Sequence, residues 1–117
     1  MSPLKITFHV LQERFVAGLD RRLARLDGCL KNLRDSVDDA ARVASVDEMT
    51  LAFHRLIGIG ATLGFHQITE IARLGELACK ARDATITAQE VRALADIIDS
   101  LRLEALAAAA TVAPSGE

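Results

Sequence analysis

The stretch FVAGLDRRLARLDGCLKNL, residues 15–33, decides the fold class of this chain. Its apolar residues recur at steps of four and then at alternating steps of three and four. They are Phe15, Leu19, Leu23, Leu26, Leu30 and Leu33. This spacing draws one apolar stripe along a helix, as in helices that pack in a bundle. The stretch therefore predicts a long amphipathic helix.

The predicted helix extends to both sides of this stretch. Upstream, Ser2 and Pro3 form a suitable start, because serine caps a helix well and proline fits its first position. Phe8 continues the apolar stripe in this direction. Downstream, the stripe reaches Val37, and the polar sequence RDSVDD at residues 34–39 predicts a break or a kink.

Capping boxes and apolar periodicity indicate three further helices. The sequences Ser45-Val-Asp-Glu48 and Thr87-Ala-Gln-Glu90 are capping boxes, which predict the starts of the second and fourth helices. The second helix is expected to run to about Gly64, and the third to end near Arg82 and Asp83. The predicted inward faces comprise Ile68, Ile71, Ala72, Gly75, Ala78 and Cys79 in the third helix, and Val91, Leu94, Ile98, Leu101 and Ala105 in the fourth.

Together these segments predict an all-α fold with one domain. The sequence shows no strand pattern and no hairpin turn, and the connections between the helices are short. Short connections favour an antiparallel up-down four-helix bundle, here with a short or kinked N-terminal helix segment as an option. We expect the bundle to comprise residues 1–112 and residues 113–117 to form a flexible tail.

The composition argues against several classes of function. The chain has 117 residues and a formal net charge of −2, and we see no basic patch or arginine run of the kind that binds nucleic acid. No apolar run approaches the roughly 20 residues of a membrane span, and the charged start at residues 1–14 does not fit a signal peptide. Cys29 and Cys79 lack metal or redox spacing, which predicts two buried thiols in a reducing cytoplasm.

His54 is the candidate functional residue, within the sequence FHRLIGIGATLGFH at residues 53–66. At about 100° per residue, the apolar side chains of this helix fall opposite His54, which is therefore expected to face solvent. These apolar residues are Met49, Ala52, Leu56, Ile59 and Leu63. Gly58 and Ala61, one and two turns further on the same face, predict a shallow clearing beside the imidazole. His9 and His66 have no such clearing, and surface or packing roles are expected for them.

An exposed imidazole in a clearing suits phosphoryl transfer between proteins. Near neutral pH a ring nitrogen has a free lone pair, which can attack phosphorus and carry a phosphoryl group. The small residues would let the surface of a partner approach. We find no histidine with a persuasive carboxylate partner, because Asp47 lies two turns before His54. The glycines at 58, 60 and 64 follow a capped helix and not a strand, which argues against a dinucleotide site. Because the inward faces are aliphatic, no metal site is expected in the bundle.

These residues resemble the motif of the histidine-containing phosphotransfer (HPt) domain. That motif has the form H-x-L-K-G, followed five or six residues later by an aliphatic residue and glycine. Here it is His54-Arg55-Leu56-Ile57-Gly58, and then Leu63-Gly64. The segment IARLGELACKARD, residues 71–83, is similar to the next helix of the family, in which a leucine-glutamate pair lies near the position of Gly75-Glu76.

The resemblance implies a four-helix bundle that works as a phosphocarrier and not as a stand-alone enzyme. His54 would accept phosphate from the aspartate of a receiver domain in a two-component phosphorelay and pass it to another receiver. The implied partners are receiver domains of response regulators, a hybrid histidine kinase, or both. The receiver would bring the magnesium ion, so the domain itself would need no cofactor. We expect a monomer, although the long first helix could also pair with a second copy.

One residue departs from the family pattern. Ile57 occupies the place where the family usually has lysine, whose charge would attract the phosphoryl group. Arg55, on the other flank of His54, could supply that charge. Two interpretations of Ile57 and its neighbour Phe53 stay open, namely core packing or an apolar docking ridge for a receiver helix. The alternative function is a degenerate adaptor that binds a receiver or dimerises without carrying phosphate.

Overall fold

The computed structural model describes residues 3–80 and 86–112. Four helices lie in this part of the chain, and it contains no strand. They are α1 (Pro3–Asp35), α2 (Asp39–Leu63), α3 (His66–Cys79) and α4 (Ala88–Thr111). α1 packs against α2 and α4, and α3 packs against the same two helices. The predicted all-α four-helix bundle is confirmed.

Contacts near the helix ends give the directions of the helices. Gln12, early in α1, donates its side-chain amide to the carbonyl of Leu63, the last residue of α2, at 2.9 Å. α3 follows α2 after residues 64–65 alone and packs back along it. Leu33, near the end of α1, lines a groove together with Ala88, the first residue of α4. Neighbouring helices therefore run antiparallel, in the up-down order expected from the short connections.

The apolar stripe of α1 forms one wall of the core, and all six residues from Phe15 to Leu33 that define it are buried. The predicted inward face of α4 is buried throughout. On α3, Ile68, Ala72, Gly75 and Cys79 are buried, whereas Ile71 and Ala78 are partly buried. Burial of such side chains contributes about 25 cal/mol per Å² of apolar surface, and this is the main stabilising term of the bundle.

The stripe is shorter than the sequence predicted. Phe8 is 43% exposed, because it lies one turn before Gln12, which is level with the last residue of α2. Val37 is 97% exposed, because α1 ends at Asp35 and residues 36–38 form the connection to α2. The break expected within RDSVDD is confirmed, and no kink within α1 is needed to explain it.

The predicted start of α2 at Ser45 is wrong. The helix begins at Asp39, and the side chain of Asp38 caps it by accepting a hydrogen bond from the backbone N–H of Ala40 at 3.2 Å. Arg42 fixes this first turn, because its guanidinium donates to the carbonyls of Leu33 and Ile86. Ser45 is buried inside the helix, beyond its first turn, so it cannot act as a cap.

The other helix ends agree with the sequence more closely. α2 is capped by Gly64 in the left-handed conformation, with φ 85°, which glycine adopts without strain. The capping box of α4 is present, since Thr87 and Glu90 each accept the backbone N–H of the other. α3 ends at Cys79, and the backbone N–H of the following Lys80 donates to the carbonyl of Glu76. The expectations for Ser2, for Arg82 and Asp83, and for the tail at 113–117 lie outside the described residues.

Within the described part of the chain, none of the helices combines the length and the apolar character that crossing a membrane requires. The same residues contain no cluster of three or more histidine, cysteine, aspartate or glutamate side chains placed to hold a metal ion.

Candidate functional site

His54 projects from the exposed face of α2, as the helical register predicted. Its side chain is 71% exposed. On the opposite face, Met49, Leu56 and Leu63 are buried, and Ala52 and Ile59 are partly buried. The imidazole is therefore accessible to another protein, while the rest of its helix is anchored in the core.

The clearing beside the imidazole is also present. Gly58 and Ala61 are both exposed, one and two turns after His54 on the same face. A Cβ atom built on Gly58 would meet no other atom within 4 Å, so this glycine is not required by internal packing. The absence of a side chain at position 58 therefore opens the surface next to His54 without serving the fold.

Glu76 of α3 is the partner of His54 that the sequence analysis missed. The Nδ1 atom of His54 lies 2.8 Å from the Oε2 atom of Glu76, whose side chain is only 19% exposed. The expectation that no histidine has a carboxylate partner is therefore wrong. It considered Asp47 on the same helix, whereas the partner comes from the neighbouring helix. The resemblance matched Gly75-Glu76 to a position of the family, and this was the available signal for Glu76. The match assigned no role to the residue.

Close packing between α2 and α3 brings these two side chains together. The ring of Phe53, which is fully buried, lies directly over Gly75, where an added Cβ would be 2.5 Å from its Cζ atom. His54 and Glu76 are the next residue on each helix, so this contact sets their separation. Gly60 allows a second close approach, since a Cβ there would lie 2.7 Å from the Oγ1 atom of Thr69.

The contact with Glu76 selects one tautomer of the neutral imidazole. An ionised carboxylate can only accept hydrogen bonds, so the proton of the ring resides on Nδ1 and is donated to Glu76. The lone pair is then on Nε2, the ring nitrogen that makes no contact with Glu76. The arrangement holds the ring in a fixed orientation and leaves Nε2 as the nucleophilic atom.

The remaining motif residues fall into two groups. Leu56 and Leu63 are buried in the core, and Gly64 caps α2. Ile57 is partly buried and packs against the core cluster to which Phe53 belongs. Of the two open interpretations, core packing therefore holds for Phe53, and the docking ridge is wrong for that residue. Ile57 packs against the core while keeping part of its side chain accessible.

Arg55 turns away from α3 and towards α1. It lines a groove of about 550 Å³ with four arginines of α1, namely Arg14, Arg21, Arg22 and Arg25. The sequence showed no basic patch of the kind that binds nucleic acid, and it did not indicate that these arginines lie together. The arginines are dispersed in the sequence, and the helical repeat together with the packing of α1 against α2 gathers them into one place.

The two cysteines are structural, as expected. Cys29 and Cys79 are both free and buried. Burial raises the pKa of the Cys29 thiol to about 12, with a further contribution from the carboxylate of Glu48, and raises the pKa of Cys79 to about 11. Both groups are therefore protonated near neutral pH, and a protonated thiol is a poor nucleophile and a poor metal ligand.

Comparison with known protein families gives a match over most of the chain. The family model described as Hpt domain matches residues 11–108, which is most of the chain and includes all of α2 and α3. No curated protein and no solved structure matches.

Proposed function

The chain belongs to the Hpt domain family, whose members transfer phosphoryl groups in two-component phosphorelays, and on this premise we propose that His54 is its phosphorylated residue. The chain would accept a phosphoryl group from the aspartate of a receiver domain and pass it to another receiver. It would act as a phosphocarrier, without a cofactor of its own, and its partners would be receiver domains, a hybrid histidine kinase, or both.

The observation that carries this proposal is the pairing of His54 with Glu76. An exposed histidine on a helix is common and has no function by itself. Here the imidazole is held by a carboxylate from a second helix at 2.8 Å, and its free nitrogen lies on the exposed face of α2, beside a glycine that packing does not require. Orientation of the ring and access to it are the two properties that a phosphoryl acceptor between two proteins needs.

The transfer step follows from this geometry. The lone pair of Nε2 attacks the phosphorus of the acyl phosphate, and an Nε2–P bond forms as the P–O bond to the aspartate breaks. The electron pair of that bond leaves with the aspartate, which becomes a free carboxylate. The ring gains positive charge, while its proton stays on Nδ1 and remains hydrogen-bonded to Glu76. The negative charge of the Glu76 carboxylate stabilises the ring. Transfer to the next receiver is the same step in reverse.

A non-phosphorylated adaptor is the second candidate function. Ile57 favours it, because this position offers no cation to the phosphoryl group in a family that usually has lysine there. The adaptor would bind a receiver, or a second copy of the chain, through the same face. The orientation of His54 by Glu76 argues against it, since an adaptor that carries no phosphate has no use for an oriented nucleophile.

A phosphotransfer assay separates the two functions. The purified chain is incubated with a panel of receiver domains carrying radioactive phosphate, and its label is tested for stability in acid and in base. A label that is lost in acid and kept in base is expected, because phosphohistidine has these properties. Binding of a receiver without any such label would contradict the phosphocarrier proposal and support the adaptor.

Replacement of Glu76 by glutamine is expected to slow phosphotransfer by roughly tenfold or more, as for other carboxylates that orient a functional histidine. The amide keeps the shape of the side chain but lacks the charge that stabilises the ring, and it can also donate to Nδ1 and thereby select the other tautomer. The measurements are the rate of label transfer and the tautomer of His54 by nitrogen NMR.

The matched control for this substitution is Glu70→Gln. Glu70 lies on the same helix and pairs only with Arg73 among the described residues, at 3.5 Å. The Glu70→Gln variant should transfer label at the rate of the unsubstituted chain. Equal rates for Glu76→Gln and Glu70→Gln would show that the contact with His54 has no role in the transfer.

Replacement of Ile57 by lysine is expected to speed phosphotransfer several-fold or to lengthen the lifetime of the phosphohistidine. The lysine stem can cover the apolar surface that Ile57 covers, while its ammonium group reaches the surface on the His54 side of α2. The measurements are the transfer rate and the half-life of the label. Ile57→Met is the control without charge, and the same values for both variants would mean that another residue already supplies the cation.

A further inference from the structure

The groove between α1 and α2 concentrates positive charge, most of which forms no ion pair within the described residues. Its rim carries five guanidinium groups, and its floor is formed by small or buried residues. The rim residues are Arg14, Arg21, Arg22, Arg25 and Arg55, and the floor residues are Phe15, Gly18 and Ala52. The whole chain has a formal net charge of −2, so this excess of positive charge is local.

The helical repeat explains how these arginines meet. Arg14, Arg21 and Arg25 are seven and four residues apart, which places them within about 40° of one another on α1. Gly18 lies between them on the same side and contributes no side chain, so the groove stays open. From Arg14 to Arg25 the row extends over about 16 Å, at 1.5 Å per residue.

Most of these charges have no carboxylate partner among the described residues. Arg25 pairs with Glu48 at 3.6 Å, and the guanidinium of Arg22 lies 5.9 Å from the centre of the Phe15 ring. Arg14, Arg21 and Arg55 form no ion pair within the parts of the chain that the structure describes. Gathered like charges repel one another, and the contacts of Arg22 and Arg25 leave the other three guanidinium groups without a compensating ion pair in the described residues.

The groove is continuous with the surface beside His54. A second groove of about 390 Å³ shares Arg14, Phe15 and Arg22 with the first and is lined further along by Gly58 of α2. Arg55 directly follows His54 in the sequence, and Gly58 forms the clearing next to it. A partner that reaches His54 therefore meets the row of arginines on the α1 side.

We propose that this arginine groove binds an acidic segment of the protein that delivers the phosphoryl group to His54. The inference rests on the proposed function and adds a feature of the partner. Guanidinium groups bind carboxylates through paired, charge-assisted hydrogen bonds. The row matches about five residues of an extended chain, at roughly 3.3 Å per residue. Phe15 is the single aromatic residue in the lining and is buried, so the groove offers no exposed aromatic ring on which bases stack, which favours a protein segment over single-stranded nucleic acid.

The groove also bears on the absence of a lysine at position 57. Ile57 lies on the side of α2 that faces α3 and offers no cation of its own there. On the proposed interpretation, the partner meets positive charge on the opposite side, along the α1 groove, and Arg55 is the groove residue that directly follows His54. The field of such charges accelerates the encounter with an acidic partner by roughly 10- to 1,000-fold and is screened by salt.

The test compares two double variants that lose the same charge. Arg14→Gln/Arg21→Gln removes two groove arginines that form no ion pair with the described residues. Arg34→Gln/Arg92→Gln removes two exposed arginines from a different groove, near the end of α1 and the start of α4. The rate of transfer from phosphorylated receiver domains is measured at low salt and at about 1 M salt, where charges more than about 3 Å apart are screened.

We expect the groove variant to transfer roughly tenfold more slowly than the control at low salt and at the same rate at high salt. Direct labelling by phosphoramidate, a small chemical phosphoryl donor that needs no partner, should be equal in both variants. A heptaglutamate peptide should inhibit transfer to the unsubstituted chain, and heptaglutamine should not. Equal transfer rates for the two variants at low salt would overturn the proposal.

Two further outcomes separate this inference from the proposed function. If the unsubstituted chain takes label neither from receivers nor from phosphoramidate, the proposed function fails. Binding of fluorescent heptaglutamate to the two double variants then tests, without any phosphotransfer, whether the groove binds an acidic segment. Loss of peptide binding only in the groove variant would support an acidic occupant. Tighter binding of oligothymidylate than of heptaglutamate would overturn the proposal in favour of nucleic acid.

Discussion

Replacement of His54 by glutamine is expected to abolish labelling of the chain by phosphorylated receivers while leaving the bundle folded. The glutamine amide has no nucleophilic lone pair on nitrogen, so the Nε2–P bond cannot form. The side chain is 71% exposed, and substitutions at such positions usually change the free energy of unfolding by no more than about 0.5 kcal/mol. The measurements are the label on the chain and its thermal unfolding curve.

The other two histidines provide matched controls for this substitution. His66 is exposed at the start of α3, and His9 pairs with Glu13 on α1 at 2.9 Å. His66→Gln and His9→Gln should keep the full label, because neither residue lies beside a clearing such as the one that Gly58 and Ala61 form next to His54. Label that persists on His54→Gln would assign the phosphoryl group to a different residue. A large drop in Tm would show that His54 contributes to packing.

The helices could be predicted because their signals are local. The apolar stripe from Phe15 to Leu33 needs only the 3.6-residue repeat, and the box from Thr87 to Glu90 needs only one turn of helix. The start of α2 was misplaced for a related reason. Asp38 and Ser45 are both good capping residues, and the choice between them depends on Arg42, which binds carbonyls of distant segments.

The candidate site was predicted only in part. The register of α2 correctly placed His54 on the exposed face, since the opposite side chains are all apolar. Glu76 could not be assigned to His54 in the same way, because the two residues are 22 positions apart and meet only where α2 packs on α3. Two glycines of α2 have different structural roles, which the sequence alone does not distinguish. Gly58 opens the surface, whereas Gly60 permits close helix packing.

The arginine groove shows the same limit for electrostatics. A search for runs of basic residues finds none, because the arginines of α1 recur at the helical repeat and Arg55 comes from another helix. Net charge and charge runs describe the chain, but a binding surface is a property of one face of the fold. A projection of α1 onto a helical wheel would have placed Arg14, Arg21 and Arg25 together, without showing what α2 adds.

Replacement of Gly75 by alanine is expected to destabilise the bundle by about 1–3 kcal/mol, the usual cost of overpacking a core. The added Cβ would lie 2.5 Å from Cζ and 2.6 Å from Cδ1 of Phe53, closer than van der Waals contact allows. The Phe53 side chain is fully buried, so the ring can yield only by moving other core residues. The measurement is the free energy of unfolding by denaturant.

Gly28→Ala is the control, and it should change stability in the opposite direction. Gly28 also lies within a helix, and an added Cβ there meets nothing within 4 Å. Alanine is better than glycine in a helix by about 1 kcal/mol, so this variant should be more stable than the unsubstituted chain. Both variants gain the same helix propensity, and the difference between them therefore isolates the clash with Phe53.

The same pair of variants links the packing of the bundle to its chemistry. Because His54 follows Phe53 and Glu76 follows Gly75, a shift of the Phe53 ring that accommodates alanine should lengthen the contact between Nδ1 and the Glu76 carboxylate. Gly75→Ala is then expected to transfer phosphate more slowly even at a temperature where it is fully folded, whereas Gly28→Ala should not. If the folded Gly75→Ala variant transfers phosphate at the unsubstituted rate, the orientation of His54 does not depend on this close approach, and Gly75 serves stability alone.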